Sequence, residues 1–246
     1  MTPERGWCAV LSRRQSPSAT GSRALSTASA RNVIAPVPTT TRSAPQRAKL
    51  NAGTVPTLLQ RESRTPQALA WTRDDCQRME DIGLLPERWE LLRGEVISKM
   101  GQKVPHGRCV LTCLAWLMEV FGKRHVLSQI TIDVSPADNP TSEPEPDVIV
   151  LTVPSPTIEG NPRPAQILLL IEVADTTLAY DLKSKAPLYA AAGIPEYWVM
   201  DVRGRQLHQH RQPVDVAYQS VTVLSASDAV AAPGRTQSAA VGELFG

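Results

Sequence analysis

The hydrophobic and polar positions of this chain change rhythm several times after residue 66. Two short runs are apolar throughout, Val148-Ile149-Val150-Leu151 and Ile167-Leu168-Leu169-Leu170-Ile171. Each is bounded by Pro, Gly or charged residues, and such runs suit strands buried on both faces better than amphipathic helices. Between them stand Pro154, Pro156, Gly160, Pro162 and Pro164. The connection therefore reads as a loop, and the two strands can be antiparallel neighbours. Further on, Leu182, Lys185, Leu188 and Tyr189 fall at helical intervals, with Gly193 as a stop signal. Proline is costly inside a helix and tolerated in its first turn, so Pro187 predicts a regular helix only from near Ala186, with Lys185 just before it.

The same reading places a short helix over 71–82 with Thr72 as its cap, a hairpin over 89–100 turning near Arg93-Gly94, and a helix over 106–122. A strand is expected over 127–134, another over 197–200, and a final hairpin over 206–223. Trp198 is expected to pack rather than to react. Together these elements predict an α/β domain, a mixed sheet with helices packed against it.

Composition divides the chain. Residues 1–65 carry ten Lys and Arg against only Glu4 and Glu62, are rich in Ser, Thr, Ala and Pro, and show no sustained apolar period. Such a segment cannot bury enough surface to offset chain entropy, so a disordered tail is expected there. The remainder, 66–246, holds 16 basic and 22 acidic residues, a balance near −6 that the overall +2 conceals. The tail has the Arg- and Ser-rich, acid-poor character of a transit peptide. It also suits a nucleic-acid-binding arm, or a gene start set too early, with the true start near Val55; the last is preferred. No run of apolar residues is long enough for a membrane span, and four cysteines without framework spacing fit a reducing cytoplasm.

The chemistry lies at the ends of the two apolar runs. Asp147 enters the first and Glu172 follows the second. Neighbouring strands are about 4.8 Å apart, so the two carboxylates can share one hard cation. Mg²⁺, with Mn²⁺ as a substitute, would neutralise charge on a scissile phosphate and supply a water of lowered pKa. Lys185 can orient that water or stabilise charge on the phosphate, and Lys183 is its rival. Each residue also has an ordinary reading. A Pro-Asp pair at a strand start caps backbone amides, and Asp181 with Lys185 can be a surface pair. A glutamate directly after five apolar residues is harder to dismiss, because buried carboxylates are rare unless paired. Elsewhere, His208 and His210 read as a solvated strand face, Cys109 and Cys113 as core, and Glu143 and Glu145 as solvent-facing.

The ordered block from Ile171-Glu172-Val173-Ala174-Asp175 through Asp181, Lys185 and Gly193-Ile194-Pro195-Glu196-Tyr197-Trp198 to Asp201 resembles the Uma-two-type restriction-endonuclease family. That family is a branch of the broad PD-(D/E)xK nuclease superfamily. The resemblance covers roughly 72–244, including Trp89-Glu90-Leu91-Leu92-Arg93-Gly94 and His106. It implies a restriction-endonuclease-like fold in which Asp147 and Glu172 hold metal. The superfamily's usual lysine, two residues after the acid, is replaced here by Ala174. As in the family, the lysine stands instead on the following helix, at Lys185. Glu90 matches the family's first-strand acid, and His106 a recurrent histidine whose role the resemblance does not fix.

The implied activity is Mg²⁺-dependent endonucleolytic cleavage of DNA, compatible with a homodimer. The competing class is a nucleic-acid-binding or assembly module that has lost turnover on the same fold. The acidic balance of 66–246 argues against a tight nonspecific DNA grip, since only Lys99, Lys103, Arg108 and Lys123-Arg124 suggest a basic patch.

Overall fold

The structure, a computed structural model, describes residues 68–246 apart from Met100; the basic segment 1–65 lies outside the described residues. Helix α1 (Arg73–Asp81) starts as its sequence predicts. The Thr72 hydroxyl accepts from the Asp75 amide, and the Asp75 carboxylate accepts in return from the Thr72 amide, a reciprocal capping box. Strands β1 (Trp89–Leu92) and β2 (Glu95–Ser98) form the expected hairpin. Its turn residues Arg93 (φ 47°) and Gly94 (φ 82°) are both left-handed, the conformation that matches a two-residue turn to strand twist. A Cβ at Gly94 would lie 2.8 Å from the Ala70 Cα, so Gly94→Ala meets both backbone strain and a clash. Urea unfolding should show a loss of about 1–3 kcal/mol for that variant.

Helix α2 (Val104–Phe121) begins two residues earlier than expected, with Pro105 tolerated in its first turn. The sheet that it covers has six strands in the order β3-β4-β5-β6-β7-β8. These are β3 (Val126–Leu127), β4 (Val148–Leu151), β5 (Ile167–Ala174), β6 (Glu196–Asp201), β7 (Gln206–Val214) and β8 (Ala217–Ser225). Only the β5–β6 pair is parallel. The mixed α/β architecture is thus the one that the sequence predicts.

The central strands β4, β5 and β6 are buried on both faces, which explains the continuous apolar runs of β4 and β5. On one face Val148, Val150, Ile171 and Trp198 pack with Cys109, Cys113 and Leu117 of α2. On the other, Ile149, Leu170, Tyr197 and Val199 pack with Ala186, Tyr189 and Ala190. Trp198 is fully buried and stacks on Trp116 at 6.2 Å.

Two expectations are corrected here. The strand over 127–134 ends at Leu127, because Gln129 adopts a left-handed φ of 52° and leaves the ladder. Ile132 and Val134 are nonetheless buried, under a loop held by bonds such as the Ile132 amide to the Pro144 carbonyl. Nor do His208 and His210 form a solvated face. His210 is buried between Tyr197 and Tyr218, and His208 is half-buried. A small strand pair, β9 (Ala229–Ala231) with β10 (Ser238–Ala240), and a closing 3₁₀ turn (Val241–Phe245) against α2 were not predicted.

The segment 178–191 carries the device that matters most for the site. It runs as α3 (Leu178–Tyr180), a π-helical turn (Asp181–Lys185) and α4 (Ala186–Ala191). Pro187 has no amide to donate to the Lys183 carbonyl, and its ring would collide with that carbonyl in a regular α-helix. A π turn, closed by the Ala186 amide on the Asp181 carbonyl, relieves the conflict by adding a residue. As a result Asp181 and Lys185 are both buried, while Lys183 is exposed.

Candidate functional site

The ladder between β4 and β5 pairs Val148 with Ile171. One step further along the same register sets Asp147 across from Glu172. Alternation places Glu172 on the sheet face covered by α4, where Lys185 and Tyr189 meet it. The Lys185 ammonium donates to Glu172 Oε1 at 3.0 Å and lies 2.9 Å from Glu90 Oε2. The Tyr189 hydroxyl donates to the same Glu172 oxygen at 2.9 Å. Glu172 Oε1 is thereby saturated, and Oε2 is the oxygen left for another partner.

Glu90 reaches this cluster because β1 is docked on the loop before β4. Leu91 and Glu143 exchange backbone hydrogen bonds, which fixes the strand one residue away. Asp147 faces the opening. Its Oδ2 accepts from the Val173 amide at 2.8 Å, and its Oδ1 lies 3.4 Å from His106 Nε2. These groups line a cleft of about 220 Å³, together with Arg88, Lys99, Lys103 and Asp181. All four predicted site residues, Glu90, Asp147, Glu172 and Lys185, therefore converge on one cleft, and of the two rival lysines Lys185 is the one that faces it.

The charge balance of this cluster is uneven. Glu90, Asp147, Glu172 and Asp181 are buried carboxylates, and among the described residues Lys185 is the one ammonium buried with them. Burial pushes the Glu172 carboxyl up to about 8 despite the attraction of Lys185, and the charges of Asp147, Asp181 and Glu90 add to the rise. Burial likewise lifts Asp181 to about 6. For Lys185 burial acts in the opposite sense, but the three carboxylates facing it outweigh burial and raise its proton affinity. At Asp147, burial is overcome by His106, the Val173 amide and Lys99, so its carboxyl lies below the usual range. The interior thus holds protons tightly around Glu172 and keeps a carboxylate ionised at the cleft wall.

Asp181 allows a direct pH test. Its folded-state pKa of about 6 lies above the unfolded 3.8, so folding takes up a proton between those values. Its favourable contribution is greatest below pH 3.8 and is lost as pH rises to about 6. Asp181→Asn can still accept from Thr177, which now donates to Asp181 Oδ2 at 2.7 Å. That variant should gain about 1–2 kcal/mol over the natural protein at pH 8 and nothing at pH 4, by urea unfolding across the range.

Sequence reasoning missed three contributors. Tyr189 was noted for its helical spacing but given no role; its position one turn after Lys185 was the available signal. Asp181 was weighed only as half of an ordinary surface pair with Lys185, and it is buried. Glu145 was expected to face solvent, yet its Oε1 accepts from Arg88 at 2.8 Å and from Lys99 at 3.0 Å. Glu143 is likewise only half-exposed, accepting from Asn161.

A metal would have to satisfy this donor set. Among the described residues no group of three or more His, Cys, Asp or Glu side chains is arranged to hold an ion. Mg²⁺ commonly takes only one or two protein carboxylates and keeps several waters. Asp147 and the free oxygen of Glu172 meet that demand, and the surplus of buried negative charge favours a cation there.

The chain is similar to known proteins in family and in fold. A family model described as "Putative restriction endonuclease", Uma2, matches residues 75–239. The chain belongs to the Uma2 family. No match is found among curated proteins. Among solved structures, the chain is similar to a "putative nuclease belonging to DUF820" from Anabaena variabilis, at 16% identity and a TM-score of 0.52. The match covers 71% of this chain and 97% of that one, and at this identity it establishes a common fold. Among the described residues of this Uma2 protein, no helix is long and apolar enough to cross a membrane.

Proposed function

We propose that this Uma2 protein is a metal-dependent endonuclease that hydrolyses phosphodiester bonds of DNA in the cleft between β4, β5 and the π turn. The observation that carries the reading is the excess of buried carboxylate over buried cation at an open cleft. Asp147 and Glu172 would hold the ion. When bound, it would neutralise charge on the scissile phosphate and lower the pKa of a coordinated water.

The protein's own groups do the rest. Lys185 is held between Glu90 and Glu172, so its ammonium is fixed in direction and can hold an attacking water or the developing negative charge beside the ion. Tyr189 pins the Glu172 carboxylate so that one oxygen stays directed toward the cleft. Lys103 and Lys99 on the wall place positive charge where a phosphate backbone would pass. Residues 66–246 act as the catalytic domain in this reading. The Uma2 family description, "Putative restriction endonuclease", supports this reading, and the fold shared with the "putative nuclease" from Anabaena variabilis is compatible with it.

A second reading, a module without turnover, draws on the tight closure of Lys185 between two carboxylates. The two differ in a simple assay. Supercoiled plasmid and a structured RNA are incubated with the full chain and Mg²⁺, Mn²⁺ or EDTA. Nicking of plasmid that requires metal and exceeds RNA cleavage is expected. Binding of plasmid with no cleavage under any metal would favour the second reading.

A further inference from the structure

Helix α2 is apolar on the side that faces away from the sheet as well as on the side that packs against it. Its inner face sends Cys109, Val110, Cys113 and Leu117 into the core. Its outer face carries Val104, Leu111, Ala115 and Met118, at successive spacings of seven, four and three residues. Such spacings align side chains in one stripe along a helix, the seam by which one helix packs on another. Val104, Leu111 and Met118 are 73%, 67% and 38% exposed, and Ala115 is exposed beside them. The outer face of a solvated helix is normally charged, and a helix apolar all round is normally buried. Here the exposed charges between Val104 and Phe121 are Arg108 and Glu119 alone. Among the described residues neither of them has an ion-pair partner.

We infer that this stripe is an interface on which α2 pairs antiparallel with α2 of a second copy of the chain. The pairing is independent of the chemistry proposed for the cleft. Two properties of the stripe select a second copy over another partner. In size it complements itself: with Leu111 of one copy over Ala115 of the other, a large side chain meets a small one on both sides of the two-fold axis. In charge it does the same, because that alignment sets Arg108 of each copy opposite Glu119 of the other, on one flank of the seam. The two residues are eleven positions apart in a single helix, about 17 Å along its axis, so they cannot pair within one copy. A parallel pairing would bring each charge level with its own duplicate, so the charges fix the direction. The apolar seam supplies the affinity, since exposed ion pairs contribute little. Residues 1–65 show no sustained apolar period with which to cover such a seam.

Sedimentation equilibrium of the full chain tests this without substrate or metal. The natural protein is compared with Leu111→Glu, Arg108→Glu, Glu119→Arg and the double variant that carries both charge reversals. All three positions are exposed, so the fold is retained, and circular dichroism on each variant checks it. The natural chain should dimerise with a dissociation constant of about 10 µM or lower. Leu111→Glu should weaken the dimer by about a hundredfold and each single reversal by about tenfold, while the double reversal should return it to within about threefold of the natural value. That rescue is the signature of the antiparallel pair, because no other arrangement couples these two positions. A monomer at every concentration would overturn the pairing and leave the face to another occupant, residues 1–65 or a different protein. A dimer indifferent to Leu111→Glu, or one that both reversals weaken without rescue, would overturn it as well.

Discussion

Replacing Lys185 with methionine is expected to cost about 3–5 kcal/mol of stability near pH 8, the usual penalty for removing one member of a buried charge pair. The ammonium lies within 3.0 Å of both Glu90 and Glu172, and each of the three residues is at most 4% exposed. Methionine fills much of the volume but leaves two carboxylates facing each other without a cation. The sign of the pH dependence follows from Glu172. Its folded pKa, already raised to about 8 by burial, must climb further once Lys185 is gone. An acid raised in the folded state loses stability as pH increases, so the deficit of the variant should be largest at pH 8 and should shrink toward pH 5. Urea unfolding at both values reads this directly. A deficit that grows toward low pH would mean that Lys185 does not serve to balance these carboxylates. Cleavage should fall at least a hundredfold in the same variant, measured where it remains folded, because no other ammonium among the described residues is buried in this cluster.

The second large effect separates catalysis from architecture at Asp147. Its ordinary role is visible in the structure, since it accepts a hydrogen bond from the buried Val173 amide. Asp147→Asn keeps an oxygen for that amide and removes the charge. The variant should therefore unfold within about 1 kcal/mol of the natural protein. Its metal-dependent cleavage should drop by about a thousandfold, because the ion would lose its anionic ligand at the cleft wall. Were Asp147 only a cap for Val173, the asparagine variant would cleave as well as the parent. Asp147→Ala is the poorer choice, since it also leaves the Val173 amide unpaired.

Much of the fold could be read from the chain because its signals are local. Thr72 with Asp75, Arg93-Gly94, and the proline-rich connection between the apolar runs each dictate one local structure. The antiparallel pairing of β4 and β5 followed from that connection, and with it the approach of Asp147 to Glu172. The strand over 127–134 misled because alternation reports burial, not pairing. Ile132 and Val134 are buried as the pattern requires, but Gln129 turns the backbone out of the sheet. The short β9–β10 pair depends on contacts with α2 and the closing turn, which no local pattern announces.

The candidate site was legible in part for the same reason. Pro187 signalled an irregular helix start beside Lys185, and the π turn is the form which that irregularity takes. What could not be read was the company that each charge keeps. Glu145 was expected to face solvent, yet Arg88 and Lys99 close over it from the hairpin. Tyr189 looked like core by its spacing, and it is core by packing, but its hydroxyl lies against Glu172. Both depend on tertiary contacts between elements far apart in sequence.

The central claim is that Asp147 and Glu172 hold a divalent ion which drives phosphodiester cleavage. Single-turnover cleavage of supercoiled plasmid by the full-length natural protein and by Asp147→Asn, with Mn²⁺ or Mg²⁺ and with EDTA, tests it most directly. The account predicts nicking by the natural protein that EDTA abolishes, and a rate about a thousandfold lower in Asp147→Asn at equal fold stability. Equal cleavage by both proteins, or cleavage that survives EDTA, would contradict it.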